Sequence, residues 1–500
     1  MKFESLLCAS ARPAAVALAA ALALLVCWSG LVSPPGAIAG AEQGHIAVAL
    51  ASGRGYADPF GTPSGPTAWV PPFNPVLMAA VFKLFGIATT KSALVLALIR
   101  LPAFAVAFYL LLRCLDRLGW PKGKPWLAAI LALQCWFLHS PLFYNAVTIW
   151  PTFVCLAWLI HDALAFHQGR QRRYALRLSV LGLLVPLIHG GLSAAYFAVV
   201  AVLAWQHRRE HPAPAREWLR LPAAAGLALA VSVGAWTTRN YLVFDRFVPL
   251  KSNGAFELDL TFHHTARGVL SAGAVMAHHP STNETETDRY TRLGERNYLE
   301  QVAAGLWPDL RAHPGRYARQ VGWRFVNAFV FAENVIDTVP FLFAGGHTSM
   351  FSLATDARLA TAGLWVTLPR SRLGVWLCLD LAPDEFLARL RALHLPESEK
   401  IFRAWLESKE AFVARRSVYR ELLQSLLVSG LPVLVALASG IGRGGRPPAL
   451  VGFAALIYVV YLLPNVLITH DATHQTALFG LQALFFVYGG RAIVAAARRL

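Results

Sequence analysis

Long apolar runs recur along this chain, and short Arg-rich stretches separate them. Helical runs of about 20 apolar residues match the hydrocarbon thickness of a bilayer. There the backbone must satisfy its own hydrogen bonds, so repeated apolar runs specify a bundle of helices. The chain is 56% hydrophobic and 15% charged, whereas soluble domains carry about 25% charged residues. This excludes a soluble globular enzyme, a disordered chain and a disulfide-built scaffold. The expected fold class is an all-α polytopic membrane protein. The net charge of +17 sits mostly between the apolar runs. That is the positive-inside pattern rather than a nucleic-acid surface. The six cysteines, Cys8, Cys27, Cys114, Cys135, Cys155 and Cys378, show neither a disulfide framework nor a CxxC metal pattern.

Five basic clusters fix the topology. They are Arg113, Arg117, Lys122 and Lys124; Arg170, Arg172, Arg173 and Arg177; Arg208, Arg209, Arg216 and Arg220; Arg443 and Arg446; and Arg491, Arg498 and Arg499. All are expected to be cytoplasmic, so the segments between them cross an even number of times. Residues 125–165 form two spans with an outer turn near Pro141–Asn145. Residues 178–206 form a hairpin turning at His189-Gly190-Gly191. Further spans are expected at 13–33, 92–113, 221–238, 420–440, 448–468 and 475–494. The first of these exceeds a signal-peptide core in length and reads as a retained helix. The stretches 325–345 and 361–381 carry charges, including Glu333, Asp337, Arg370, Arg372 and Asp380. They read as interfacial helices, or as a crossing pair. The count is about ten spans, or twelve with that pair, with both termini inside. Outer segments cover 34–90 and 239–419. The chain divides into a transmembrane and outer-loop module (1–344), an outer segment of unassigned role (345–419) and C-terminal transmembrane helices (420–500).

The first outer segment reads Ala41-Glu42-Gln43-Gly44-His45-Ile46-Ala47-Val48-Ala49-Leu50. Its apolar spacing predicts a short amphipathic helix on the bilayer surface. Glu42 sits at its start, where the helix dipole favours a carboxylate. Next come Gly53-Arg54-Gly55-Tyr56-Ala57-Asp58-Pro59-Phe60-Gly61, then Gly65 through Pro75, then a helix ending Lys83-Leu84-Phe85-Gly86. A second motif runs from Trp236 through Arg239-Asn240-Tyr241 and Phe247-Val248 to Lys251-Ser252-Asn253. A third runs from His279-Pro280 through Tyr290, Gly294-Glu295, Tyr298 and His313-Pro314-Gly315-Arg316-Tyr317 to Arg324.

In their order and spacing these motifs resemble bacterial GT-C membrane glycosyltransferases of the family 39 branch, the dolichyl-phosphate-mannose protein mannosyltransferase type. The resemblance covers residues 1 to about 325. It implies a GT-C-like bundle of ten to twelve helices with large outer loops, in a bacterial inner membrane. It also implies a polyprenyl-phosphate sugar as donor and a glycan, lipid or protein acceptor on the outer face, with inversion. A carboxylate takes the acceptor's proton, and cations hold the leaving lipid phosphate. No cofactor is required, although converging outer carboxylates would accommodate a divalent metal.

Glu42 is the expected base. Relatives carry an acidic pair near this position, and Ala41 leaves Glu42 alone here. Asp58 is the other acid of the loop, as a second site acid or as a turn former before Pro59. Substrate-binding candidates are Arg54, Arg100, Arg239, Lys251 and His189. Each has an ordinary alternative, such as snorkelling for Arg239 or a hydrogen bond to a buried carbonyl for His189. His263, His264, His278 and His279 read as solvated loop histidines, since adjacent histidines point apart and no carboxylate sits at a standard ligand offset. The last outer loop offers His470-Asp471 and His474 as a substrate contact. Trp69 and Trp236 suit the interfacial aromatic belt or stacking on a sugar. A transporter or flippase, or a polysaccharide polymerase or ligase, is the alternative class. A transporter is expected to show inverted repeats, and none is visible in the sequence.

Overall fold

The structure is a computed structural model of the 500-residue chain. It describes residues 13–25, 42–118, 120–137, 150–169, 172–210, 219–265, 268–270, 272–329, 449–469 and 477–497, with short pieces at 366–367, 374–375, 383–392, 394, 398–399, 402–403 and 406. Several expectations lie wholly or largely outside the described residues: the turn near Pro141–Asn145, the charged stretches 325–345 and 361–381, most of the 345–419 segment, the helix at 420–440, the basic pair Arg443 and Arg446, and the His470–His474 loop.

The regular elements among the described residues are helices, apart from one antiparallel pair, β1 (Val366–Thr367) with β2 (Gly374–Val375), and an isolated bridge between Ala57 and Pro66. That pair lies in the 361–381 stretch, where an interfacial helix or one member of a crossing pair was expected. The helices run α1 (Pro13–Leu25), α2 (Glu42–Ala51), α3 (Phe73–Phe85), α4 (Thr90–Arg117), α5 (Lys124–Phe137), α6 (Trp150–Gly169), α7 (Arg172–Ile188), α8 (Gly190–Glu210), α9 (Arg220–Phe244), α10 (Gly254–His264), α11 (Ala272–His278), α12 (Glu284–Ala312), α13 (Pro314–Phe329), α14 (Pro383–Ala392), α15 (Ala449–Leu467) and α16 (Phe479–Ala497). Among the described residues, three helices are long and apolar enough to cross a membrane: α4, α9 and α15.

Two cores organise these elements. The larger joins α1, α4, α5, α6, α7, α8, α15 and α16. Helix α6 is buried nearly throughout from Trp150 to Ala165, and its buried polar pair, His161 and Asp162, is satisfied by contact with one another, Trp158 and Arg177. A helix buried on nearly all sides belongs at the centre of a bundle. Helix α9 packs on α7 at the rim. It leaves Leu227, Val231 and Leu242 exposed, at 67%, 56% and 78%. Exposed leucines at that level suit a lipid-facing edge.

The hairpin of α7 and α8 breaks at His189, as the sequence indicates. The His189 Nδ1 accepts the Gly191 backbone N–H at 3.1 Å, and the His189 carbonyl accepts the Ser193 N–H. Gly191 is required by a close approach. A Cβ there would lie 2.6 Å from the Tyr461 carbonyl oxygen of α15.

The smaller core joins α2, the 52–72 loop, α10, α11 and α12 through Ile46, Tyr56, Phe60, Trp69, Phe256, Tyr290 and Tyr298. Helix α12 bends at Gly294, whose φ of 69° is unsuited to a side chain-bearing residue. The bend turns Glu295 inward to 3% exposure.

Candidate functional site

Glu42 opens α2, so its carboxylate projects from the first turn. The 52–72 loop folds back over it, and Trp69 is fully buried with its Nε1 donating to the Glu42 Oε1 at 3.2 Å. From the other side His279, at the end of α11, places its Nε2 3.4 Å from the same oxygen. Phe256 packs against Trp69 and His279 at ring distances of 5.1 and 5.2 Å. These apolar walls strip water from the carboxylate, although 27% of the Glu42 side chain remains open.

Burial is the main force on this group, and the Glu257 carboxylate of α10 adds to it. Together they push Glu42 up to about 7, against the opposing pull of Lys251 and the Trp69 hydrogen bond. Glu257 itself accepts from the Asn253 side-chain amide at 3.1 Å. His279 is driven down to about 4 by burial and stays neutral at pH 7. The site therefore pairs a carboxyl that titrates near neutrality with a neutral imidazole, an indole N–H, a second carboxylate and an exposed lysine.

A second buried acid braces the walls. The Glu295 Oε1 accepts the Ala68 N–H and the Ser252 hydroxyl, each at 2.7 Å. Its Oε2 accepts the Tyr290 hydroxyl at 2.7 Å and the Thr67 hydroxyl. Burial raises its pKa even against these four bonds. One side chain thus ties together the first loop, the 245–253 connection and both arms of α12. A carboxyl with every lone pair engaged is a structural clamp.

Comparison with protein-family models, with curated proteins and with solved structures gives no match.

Geometry separates the residues singled out from sequence. The Lys251 charge acts on Glu42 and favours its ionised form. Asp58 is buried and organises its own turn. Its Oδ1 accepts the Ser64 and Gly65 N–H groups at 2.9 and 3.1 Å, and its Oδ2 accepts the Arg54 Nε at 2.9 Å. Asp58 and Arg54 therefore serve each other and the loop. Arg239, expected at the donor phosphate, directs its guanidinium at backbone instead. It donates to the Thr67 carbonyl at 2.7 Å and the Tyr56 carbonyl at 3.0 Å, and it lies over the Tyr56 and Trp236 rings. It pins the first loop onto α9. Arg100 is buried within α4, and His189 caps the start of α8.

Trp69 lies in neither an aromatic belt nor an open sugar platform, because it is buried against Glu42. Trp236 donates to the Leu250 carbonyl at 2.6 Å. The histidines also differ from solvated loop residues. His263 meets Asp259, four residues before it, at 2.7 Å through Nδ1, and Asp309 of α12 at 3.2 Å through Nε2. His264 and His278 stack at 3.6 Å. Among the described residues no set of three His, Cys, Asp or Glu side chains is arranged to hold a metal ion.

Glu257 and the roles of His279 and Glu295 were not found from sequence. His279-Pro280 and Gly294-Glu295 stand inside the third motif, and that adjacency was the available signal. Glu257 had no local signal beyond its spacing of four from Asn253.

Proposed function

We propose that the protein is a membrane glycosyltransferase. It moves a sugar from a polyprenyl-phosphate donor to a glycan, lipid or protein acceptor on the outer face of a bacterial inner membrane, with inversion. In this reading the chain crosses ten to twelve times, with both termini cytoplasmic, and the smaller core is the outer catalytic lobe. The observation that carries the reading is the Glu42 carboxyl, partly open and tuned to about 7. A general base works best with a pKa near the operating pH.

The steps follow from the residues present. The acceptor hydroxyl or amine approaches the open side of Glu42. As its heteroatom bonds to the anomeric carbon, its proton passes to the carboxylate. The bond from that carbon to the phosphate oxygen breaks, and the electron pair leaves with the polyprenyl phosphate. Lys251, exposed and acting electrostatically on Glu42, is the cation that meets the growing phosphate charge. Arg239 serves by holding the loop that carries Trp69. No cofactor enters these steps.

The test is release of radiolabelled sugar from polyprenyl phosphate by membranes containing each variant. Glu42→Gln keeps the shape and loses the proton acceptor. Its rate is expected to fall by about 10²–10⁴-fold, with donor binding retained. Lys251→Ala is expected to weaken donor binding instead. Full activity in Glu42→Gln would remove Glu42 as the base. Absence of turnover by the wild type with every polyprenyl-linked sugar would favour the transporter class.

A further inference from the structure

His279 does more than fill space beside Glu42. Its Nδ1 accepts the Ser281 backbone N–H at 3.1 Å and contacts the Ser281 hydroxyl at 2.7 Å. A backbone N–H can only donate, so Nδ1 carries no proton. The neutral ring must then hold its proton on Nε2, the nitrogen that faces the Glu42 Oε1 at 3.4 Å. The imidazole is fixed from all sides. The Phe60, Trp69 and Phe256 rings surround it at 5.7, 5.9 and 5.2 Å, and only 10% of its side chain is exposed.

Both N–H groups that approach Glu42, from Trp69 and from His279, converge on Oε1. Among the described residues no donor meets Oε2. The remaining charged groups that act on the carboxyl are Glu257 of α10 and Lys251 of the preceding connection. The 3.4 Å separation exceeds a formed N–H···O bond. In empty sites such bonds are often long and shorten when the site is filled.

We propose that His279 is the positioning residue of this site: its Ser281-locked Nε2–H holds the Glu42 Oε1 as the carboxylate forms, and so assigns Oε2 as the oxygen that takes the acceptor's proton. The proposal rests on the glycosyltransferase reading for its chemical consequence, but its central contact is testable without turnover. A donor to the ionised carboxylate favours ionisation. Removing it should therefore raise the pKa of Glu42.

The experiment is infrared titration of the Glu42 carboxyl in the purified full chain in lipid nanodiscs. The band is identified by its absence in Glu42→Gln. His279→Phe keeps an aromatic ring without the N–H, and the Glu42 midpoint should rise by about 1 pH unit, the scale of one hydrogen bond to a charged group. His279→Gln offers an amide N–H at nearly the Nε2 position and should return the midpoint to within about half a unit of wild type. In sugar transfer, His279→Phe should lower kcat with the donor KM unchanged, and His279→Gln should recover much of kcat. An unchanged Glu42 midpoint in a folded His279→Phe protein overturns the proposal. So does an equal shift in His279→Phe and His279→Gln, which would mark a packing effect. If the midpoints move as expected and the wild type transfers no sugar, the contact stands and the glycosyltransferase reading falls.

Discussion

At the scale of single residues, the structure redistributes roles among side chains that look alike in sequence. Glu42, Asp58 and Glu295 are all buried or partly buried acids, yet of the three only Glu42 has an oxygen that no described donor meets, on a side chain that is 27% exposed. Asp58 has two backbone N–H groups and Arg54 to hold, so Asp58→Asn should loosen the loop rather than abolish proton transfer. Arg239→Ala removes two bonds to loop carbonyls. It should cost about 1.5–3 kcal/mol in thermal unfolding, with donor affinity in the folded fraction unchanged. A selective loss of donor affinity without loss of stability would restore Arg239 to the phosphate site. Glu42 also links stability to pH. Its folded pKa of about 7 lies above its ordinary value of 4.5. Between those values the unfolded chain releases a proton that the folded chain keeps, so wild-type stability falls as pH rises through this window. Glu42→Gln lacks that loss. Its melting temperature relative to wild type should climb from pH 4.5 to pH 8, and a constant difference would contradict the raised pKa.

At the scale of elements, what was legible was local. The apolar spacing of residues 46–51 announced α2, and His189-Gly190-Gly191 announced the break between α7 and α8, because each signal lies within a few residues of its effect. The outer lobe was less legible. Helices α10, α11 and α12 are short or polar and take their positions from contacts far away in the chain, such as Glu295 with Ala68. Glu257 reaches Glu42 only once α10 packs beside the 52–72 loop, and no spacing rule encodes that approach. Trp69 was misplaced for the same reason, since its burial depends on Phe256 and Tyr290. One element-scale prediction follows from the contact of α8 with α15. Gly191→Ala places a methyl 2.6 Å from the Tyr461 carbonyl, which backbone can relieve only by separating the helices. The expected cost is about 1–3 kcal/mol, read by chemical unfolding in detergent. A neutral effect would mean that the two helices are not held at this distance.

At the scale of the whole molecule, charge and apolar length together argue for the proposed orientation. Three described helices can cross a bilayer by length and composition, and in the proposed topology the basic α6–α7 connection lies opposite the Glu42 lobe. Single cysteines at Ser52 and Gln168, both exposed, should therefore label from opposite sides of sealed vesicles. Labelling of both from the same side would break the topology. In the proposed orientation Glu42 lies where a membrane-bound lipid phosphate and an external acceptor would meet. The central claim is that this carboxylate takes the acceptor's proton. The most direct measurement is the pH dependence of sugar transfer from polyprenyl phosphate by the purified protein in nanodiscs, at saturating donor. The account predicts a wild-type rate that rises through pH about 7 as Glu42 ionises, and a Glu42→Gln rate that is about 10²–10⁴-fold lower and lacks that rise. A Glu42→Gln protein with the wild-type rate and the same pH profile would contradict it.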